Sequence, residues 1–226
     1  MLDEIQKRFS ALINRLVRLR YRQHQSPSGR NDRIVQITKL LARVLLTPFF
    51  RIEVAGVDHL PSDHAFVLLS KHQRWEDIPL LSLATPRPLY YIAKFELFKN
   101  VLSNWFFNSL GGIPINRQRP LESRRFLQAT IELLKKGEGV VIFPEGTYYR
   151  NKMGPGQIGM VRFVLSRMRL PFIPVGIKYA TDRWRIRVRI HFGNAFQPAP
   201  DLPANLFVDR MMKQIADLSG LTMNEN

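Results

Sequence analysis

The strongest constraint on the fold is a set of short apolar runs that do not alternate with polar residues. Ala65-Phe66-Val67-Leu68-Leu69, Val140-Val141-Ile142-Phe143 and Phe172-Ile173-Pro174-Val175-Gly176-Ile177 are of this kind. A strand with one wet face alternates, whereas a strand covered on both faces reads as a continuous apolar run. Shorter strands are predicted at Arg51–Val54, Leu89–Ala93 and Ile113–Ile115. Helical spacing is predicted over Glu96–Leu110, Leu121–Lys136, Ile158–Met168 and Ala204–Leu218. In the last of these, Leu206, Met211, Ile215 and Leu218 are expected to point inward. Strands alternating with helices predict an α/β fold, with a mixed, mostly parallel central sheet flanked by helices. Trp184–Phe192 is different, because it alternates cleanly. Trp184, Ile186, Val188, Ile190 and Phe192 are expected on a buried face. Arg185, Arg187, Arg189 and His191 form a basic one, which either lines a phosphate-binding groove or is simply solvated.

The first 50 residues have another character. Leu2, Ile5, Phe9, Leu12, Leu16 and Leu19 fall at helical spacing, with Arg8, Arg15, Arg18 and Arg22 on another face. This helix is expected over Leu2–Tyr21, Ser26-Pro27-Ser28-Gly29 then breaks the chain, and a second helix runs from Asp32, a candidate N-cap, toward Phe50. Its apolar face is broad: Ile34, Val35, Ile37, Leu40, Leu41, Val44, Leu45 and Leu46. Ile34–Phe50 is shorter than the roughly 20 apolar residues of a membrane span. The expectation is an amphipathic two-helix hairpin over residues 1–50 that lies on a membrane surface, followed by an α/β domain over 51–226. The competing reading packs the hairpin onto the domain's own core. Met1-Leu2-Asp3-Glu4 is acidic, and no cleavable signal is expected from it.

Charge narrows the partner. Lys and Arg number 34 against 18 Asp and Glu, a net charge of +16, so an anionic partner is expected. There is no cysteine, which removes disulfides, thiolate catalysis and Cys-ligated metals. Neither a His-Glu-x-x-His motif nor a phosphate-binding Gly-x-x-x-x-Gly-Lys loop is present, and no metal or cofactor is implied.

In open α/β sheets the chemistry gathers at the carboxyl ends of the strands. The ends here supply His72 and Asp77 in Ser70-Lys71-His72-Gln73-Arg74-Trp75-Glu76-Asp77, then Lys94, Arg117, Glu145-Gly146-Thr147 and Arg150. On a regular helix, positions five apart lie about 140° from one another, so His72 and Asp77 meet only if the loop bends. Joined, they make a general base and the group that orients it. Apart, Asp77 is an N-cap before Ile78-Pro79 and His72 an ordinary loop residue. No activated protein nucleophile accompanies them, so the base needs a substrate hydroxyl. Lys94, Arg117 and Arg150 suit a phosphate on the same substrate.

These blocks resemble the 1-acyl-sn-glycerol-3-phosphate acyltransferases of phospholipid synthesis. His72 and Asp77 meet the family's His-x-x-x-x-Asp pattern, and Gly112-Ile113-Pro114-Ile115-Asn116-Arg117 its Gly-rich turn leading to Arg. Phe143-Pro144-Glu145-Gly146-Thr147 and Phe172-Ile173-Pro174-Val175-Gly176 meet its third and fourth blocks, and Ala93-Lys94-Phe95 its Lys before a helix. The resemblance covers Phe66–Tyr179. It implies transfer of an acyl group from acyl-CoA or acyl-acyl carrier protein to lysophosphatidic acid, giving phosphatidic acid. It also implies a membrane-associated protein, monotopic or peripheral, at a cytoplasmic face. His72 and Asp77 would be catalytic. Arg117 and Lys94 would hold the acceptor phosphate, and Glu145, Gly146, Thr147 and Arg150 would shape the substrate site. Lys71, Arg74 and Glu76 depart from the family's usual residues, as does Tyr148-Tyr149 after Thr147. The alternatives are another lysophospholipid or glycerol 3-phosphate as acceptor, or a basic membrane- or nucleic-acid-binding protein without chemistry. Nucleic acid is not expected as a partner of the enzyme.

Overall fold

The computed structural model of the protein describes residues 29–116, 120–199 and 201–223, with side chains for all of these but 120–122. The strands are β1 (Phe50–Ala55), β2 (Phe66–Ser70), β3 (Tyr90–Lys94), β4 (Gly112–Ile115), β5 (Gly139–Ile142), β6 (Phe172–Asp182) and β7 (Arg185–Phe192). The helices among the described residues are α1 (Asp32–Leu46), α2 (Asp77–Ala84), α3 (Val101–Ser109), α4 (Pro120–Lys135), α5 (Ile158–Leu165) and α6 (Ala204–Ser219). The strands form one sheet in the order β1-β7-β6-β2-β5-β3-β4. β2 to β6 are mutually parallel, and β7 joins β6 antiparallel with β1 parallel to it. This is the mixed, mostly parallel sheet expected.

The apolar runs are buried because helices cover both faces. Val67, Leu69, Val140 and Ile142 pack on one side with Phe126, Val161, Val164, Phe207 and Met211 of α4, α5 and α6. Phe66, Leu68, Val141 and Phe143 pack on the other with Leu80, Leu81 and Ala84 of α2. Successive side chains of one strand thus serve two cores, as the two-residue period requires. Pro114 is accommodated because β4 is an edge strand.

Several boundaries differ from expectation for local reasons. Asn31, not Asp32, caps α1, accepting from the amides of Arg33 and Ile34 at 3.1 and 3.3 Å. The helix stops at Leu46, just before Thr47-Pro48. The helix predicted over Glu96–Leu110 is broken. A 3-10 turn covers Phe95–Phe98, and α3 then starts afresh with the Asn100 side chain accepting from the Ser103 amide. Trp184 is 74% exposed instead of buried, because it sits in the turn between β6 and β7. Leu206 is likewise exposed, while Met211 and Ile215 are buried as expected. The basic face of β7 is partly neutralised. Arg187 pairs with Asp182 at 2.8 Å and Arg189 approaches Glu53 at 3.5 Å.

α1 is docked rather than free. Arg30 grips Glu138 through two bonds of 3.0 and 3.1 Å, and Lys39 donates to the Thr85 carbonyl at 2.9 Å. Of its broad apolar face only Val35 is buried; Ile37, Leu40, Leu41, Val44 and Leu45 are all more than half exposed. The first predicted helix, Leu2 to Tyr21, lies outside the described residues.

β6 and α6 approach closely at Gly176. A Cβ there would lie 2.4 Å from the Leu218 carbonyl carbon and 2.6 Å from its oxygen, backbone atoms that cannot swing aside. Gly176→Ala is therefore expected to lower stability by about 1–3 kcal/mol through overpacking, read as a lowered urea midpoint.

Candidate active site

The site is built where β2 ends and β6 does not. Ser70, the last residue of β2, pairs with Val175, and β6 continues to Asp182. The chain leaving β2 therefore runs beside a strand that still offers hydrogen-bonding groups. The Lys71 amide donates to the Val175 carbonyl at 2.9 Å, and the Gln73 side chain donates to the Ile177 carbonyl at 2.6 Å. The loop then bends back, and Asp77 begins α2.

That bend brings His72 and Asp77 together, with Nδ1 3.0 Å from the carboxylate. An ionised carboxylate only accepts, so Nδ1 carries the proton and Nε2 is left as the basic nitrogen. Asp77 has no exposed surface. The same oxygen that faces His72 accepts the backbone amides of Gln73 and Arg74, and the other accepts the Tyr179 hydroxyl. The N-cap alternative for Asp77 is thus excluded, since its carboxylate reaches backward to the loop. Burial first, then the Asp77 carboxylate, pushes the Tyr179 phenol far up, which keeps it protonated as a donor. Arg74 lies over the Tyr179 ring, 4.6 Å from its centroid.

The imidazole is held on its faces as well as at its edge. Phe143 stacks on it with centroids 3.9 Å apart and planes 18° from parallel, and Tyr148 lies at 4.3 Å, tilted by 58°. Both come from the segment that leaves β5. Both rings pack against the imidazole, while 10% of the side chain remains accessible.

A second carboxylate lies behind this pair. Glu145, expected to shape the substrate site, has a side chain only 1% exposed. Its oxygens accept from Lys71 Nζ at 2.7 and 2.8 Å, from the His72 amide at 3.1 Å and from the Gly154 amide at 2.7 Å. Its polar capacity is spent inside the protein. Lys71 is wholly buried, and its ammonium also donates to the carbonyls of Tyr149 and His72. Burial holds the Lys71 pKa below its ordinary value, and Glu145 offsets this only in part. Every hydrogen-bond partner of Nζ is an acceptor, the Glu145 carboxylate among them.

The other predicted positions that the structure describes lie at the end of β3 and in the segment that leaves β5. Lys94 is exposed at the end of β3, two strands from His72 in the order of the sheet. Its pairing with Ile115 puts the β4 end next to it, where the Ser123 hydroxyl bonds both the amide and the carbonyl of Asn116. Arg117 itself lies outside the described residues. Gly146 is buried with φ 70°, the left-handed turn that lets the chain leave β5, and Thr147 and Arg150 are exposed beyond it.

A family model described as Acyltransferase matches residues 51–178. The chain belongs to the acyltransferase family. A chloroplastic 1-acyl-sn-glycerol-3-phosphate acyltransferase of Brassica napus is 29% identical over 82% of this chain and 56% of its own length. A chloroplastic 1-acyl-sn-glycerol-3-phosphate acyltransferase of Arabidopsis thaliana is 38% identical over 52% of this chain and 33% of its own length. The chain thus spans about half the length of the first of these relatives, and a third of the second. Its fold is like that in the crystal structure of the 1-acyl-sn-glycerophosphate acyltransferase from Thermotoga maritima, with a TM-score of 0.67. That likeness covers 82% of this chain and 78% of the other at 22% identity.

Within this acyltransferase fold, sequence reasoning missed Tyr179, Phe143 and the Lys71–Glu145 pair as neighbours of the dyad. Lys71 carried a signal, because a lysine directly after a doubly covered strand needs a buried carboxylate nearby. Tyr179 carried none, since its role depends on how far β6 outruns β2. Asp77→Ala is expected to cost about 1–3 kcal/mol or more, because it strands several buried donors. His72→Ala should cost less, and chemical denaturation of the two variants side by side checks this order.

Proposed function

We propose that the protein transfers an acyl group from acyl-CoA or acyl-acyl carrier protein to the free hydroxyl of 1-acyl-sn-glycerol 3-phosphate, giving phosphatidic acid for phospholipid synthesis. The observation that carries this reading is the His72–Asp77 bond, which leaves Nε2 as a base with no protein hydroxyl bonded to it among the described residues. With no cysteine in the chain either, the nucleophile is the substrate's own hydroxyl.

His72 Nε2 takes the hydroxyl proton as the oxygen attacks the thioester carbonyl. The tetrahedral carbon collapses, the carbon–sulfur bond breaks, and the proton passes from the imidazolium to the departing thiolate. Asp77 stabilises the imidazolium in between. Arg117 and Lys94 hold the acceptor phosphate, with Arg150 and Thr147 as further polar contacts and Gly146 shaping the turn beside them. Glu145 acts from behind His72 instead of touching substrate, in keeping with its buried carboxylate.

The substrates are amphiphiles, and the exposed Ile37, Leu40, Leu41, Val44 and Leu45 of α1 support a membrane-associated protein, monotopic or peripheral, acting at a cytoplasmic face. No helix among the described residues is long and apolar enough to cross a membrane. Arg43, exposed on the same helix, suits anionic headgroups.

Release of free thiol that requires both a donor and an added acceptor tests the reaction, run across acyl-CoA, acyl-acyl carrier protein, lysophosphatidic acid, other lysophospholipids and glycerol 3-phosphate. His72→Ala should lower the rate by roughly 10²-fold or more, and Arg117→Ala should mainly raise the KM for a phosphate-bearing acceptor. Near-normal turnover in the His72 variant overturns the mechanism. For the membrane reading, Leu41→Glu/Leu45→Glu should weaken binding to vesicles containing phosphatidylglycerol by at least about tenfold, since each leucine contributes about 1.5–3 kcal/mol on burial. Co-sedimentation measures it, and unchanged binding removes α1 from the docking surface.

A further inference from the structure

We propose that Lys71 and Glu145 form a buried ionic clamp that positions His72 by holding both polar groups of its backbone. Glu145 accepts from the His72 amide at 3.1 Å, and Lys71 donates to the His72 carbonyl at 3.2 Å. The two clamp atoms are joined to each other at 2.7 Å. The peptide units on either side of the base are therefore fixed to one ion pair, while Asp77 fixes the ring through a separate bond. Neither clamp residue reaches substrate, because their side chains are 0% and 1% exposed. Both are positioning residues.

The clamp also ties the base to the segment that leaves β5. Lys71 donates to the Tyr149 carbonyl at 2.8 Å, the Tyr149 amide donates to the His72 carbonyl at 3.0 Å, and Glu145 takes the Gly154 amide. Between these bonds lies Tyr148, which packs against the imidazole at 4.3 Å. One ion pair thus sets the backbone of the base and the wall against which its ring rests. A neutral pair of similar volume would fill the space without directing either bond.

This role rests on the acyl-transfer reading, so the experiment keeps the two apart. The full chain is assayed with an acyl-CoA and lysophosphatidic acid by thiol release. Lys71→Met is expected to lower kcat at least about tenfold with the acceptor KM within about twofold, because misplacing a catalytic group acts on the transition state. Lys71→Met/Glu145→Leu removes both charges together. Its melting temperature should rise above that of the single variant, since no lone buried carboxylate remains, while kcat stays low because neither bond to His72 returns. Recovery of wild-type kcat along with stability would assign the pair to stability alone and overturn the proposal. So would an unchanged kcat in the folded single variant, or a raised KM at unchanged kcat. If the variants do not fold, or if the wild type turns over no acceptor, amide hydrogen exchange on the unaltered protein decides. The His72 and Gly154 amides should exchange as slowly as those of β2, and rapid exchange at His72 overturns the clamp.

Discussion

A carboxylate with no exposed surface persists in a protein interior only where donors surround it, and the candidate site depends on Asp77 meeting that condition. Left unpaired, a buried charge costs several kcal/mol even after relaxation. Here the donors are two loop amides, one imidazole and one phenol. Each also constrains its own segment. The amides fix the bend after β2, the phenol fixes the bend to β6, and the imidazole is itself fixed through Nδ1. The local shape of the site follows from solvating one anion without water.

The sheet makes this possible through unequal strand lengths. β2 and β5 stop at Ser70 and Ile142, while β6 runs on to Asp182. Beyond Val175, β6 is paired with β7 on one side, and its other edge receives the loop after β2 and delivers Tyr179 to Asp77. The shorter strands leave room above themselves for the loop and for the segment carrying Phe143 and Tyr148. The result is an imidazole packed against two aromatic rings, while Lys94, Thr147 and Arg150 are exposed.

Much of this was legible in the sequence. Unbroken apolar runs identified the doubly covered strands, because only a strand with helices on both faces can forgo alternation. The spacing of His72 and Asp77 showed that they could meet only across a bent loop, and the loop is bent. What escaped reading depends on register and on tertiary competition. Trp184 fits the alternation of β7 but falls in the turn. The helix expected from Glu96 breaks at Asn100, whose side chain supplies a better start than continuing the turn. Glu145 shows how a motif residue can be located in the sequence while its partners stay hidden. Its neighbours in sequence are apolar or small, and the lysine that occupies it lies 74 positions away.

The bond between Tyr179 and Asp77 spans 102 positions, and that separation bears on when the site can exist at all. Contacts this distant in sequence form late, since closing long loops precedes any reward for the pairing. On a chain still being synthesised, β2 and the loop after it emerge long before β6 can lie alongside them. Until β6 pairs, Asp77 lacks its phenol and the loop lacks the carbonyls of Val175 and Ile177. The His72–Asp77 pair therefore gains its full set of partners only once β6 lies alongside β2, so that partly made chains carry His72 without a seat for it.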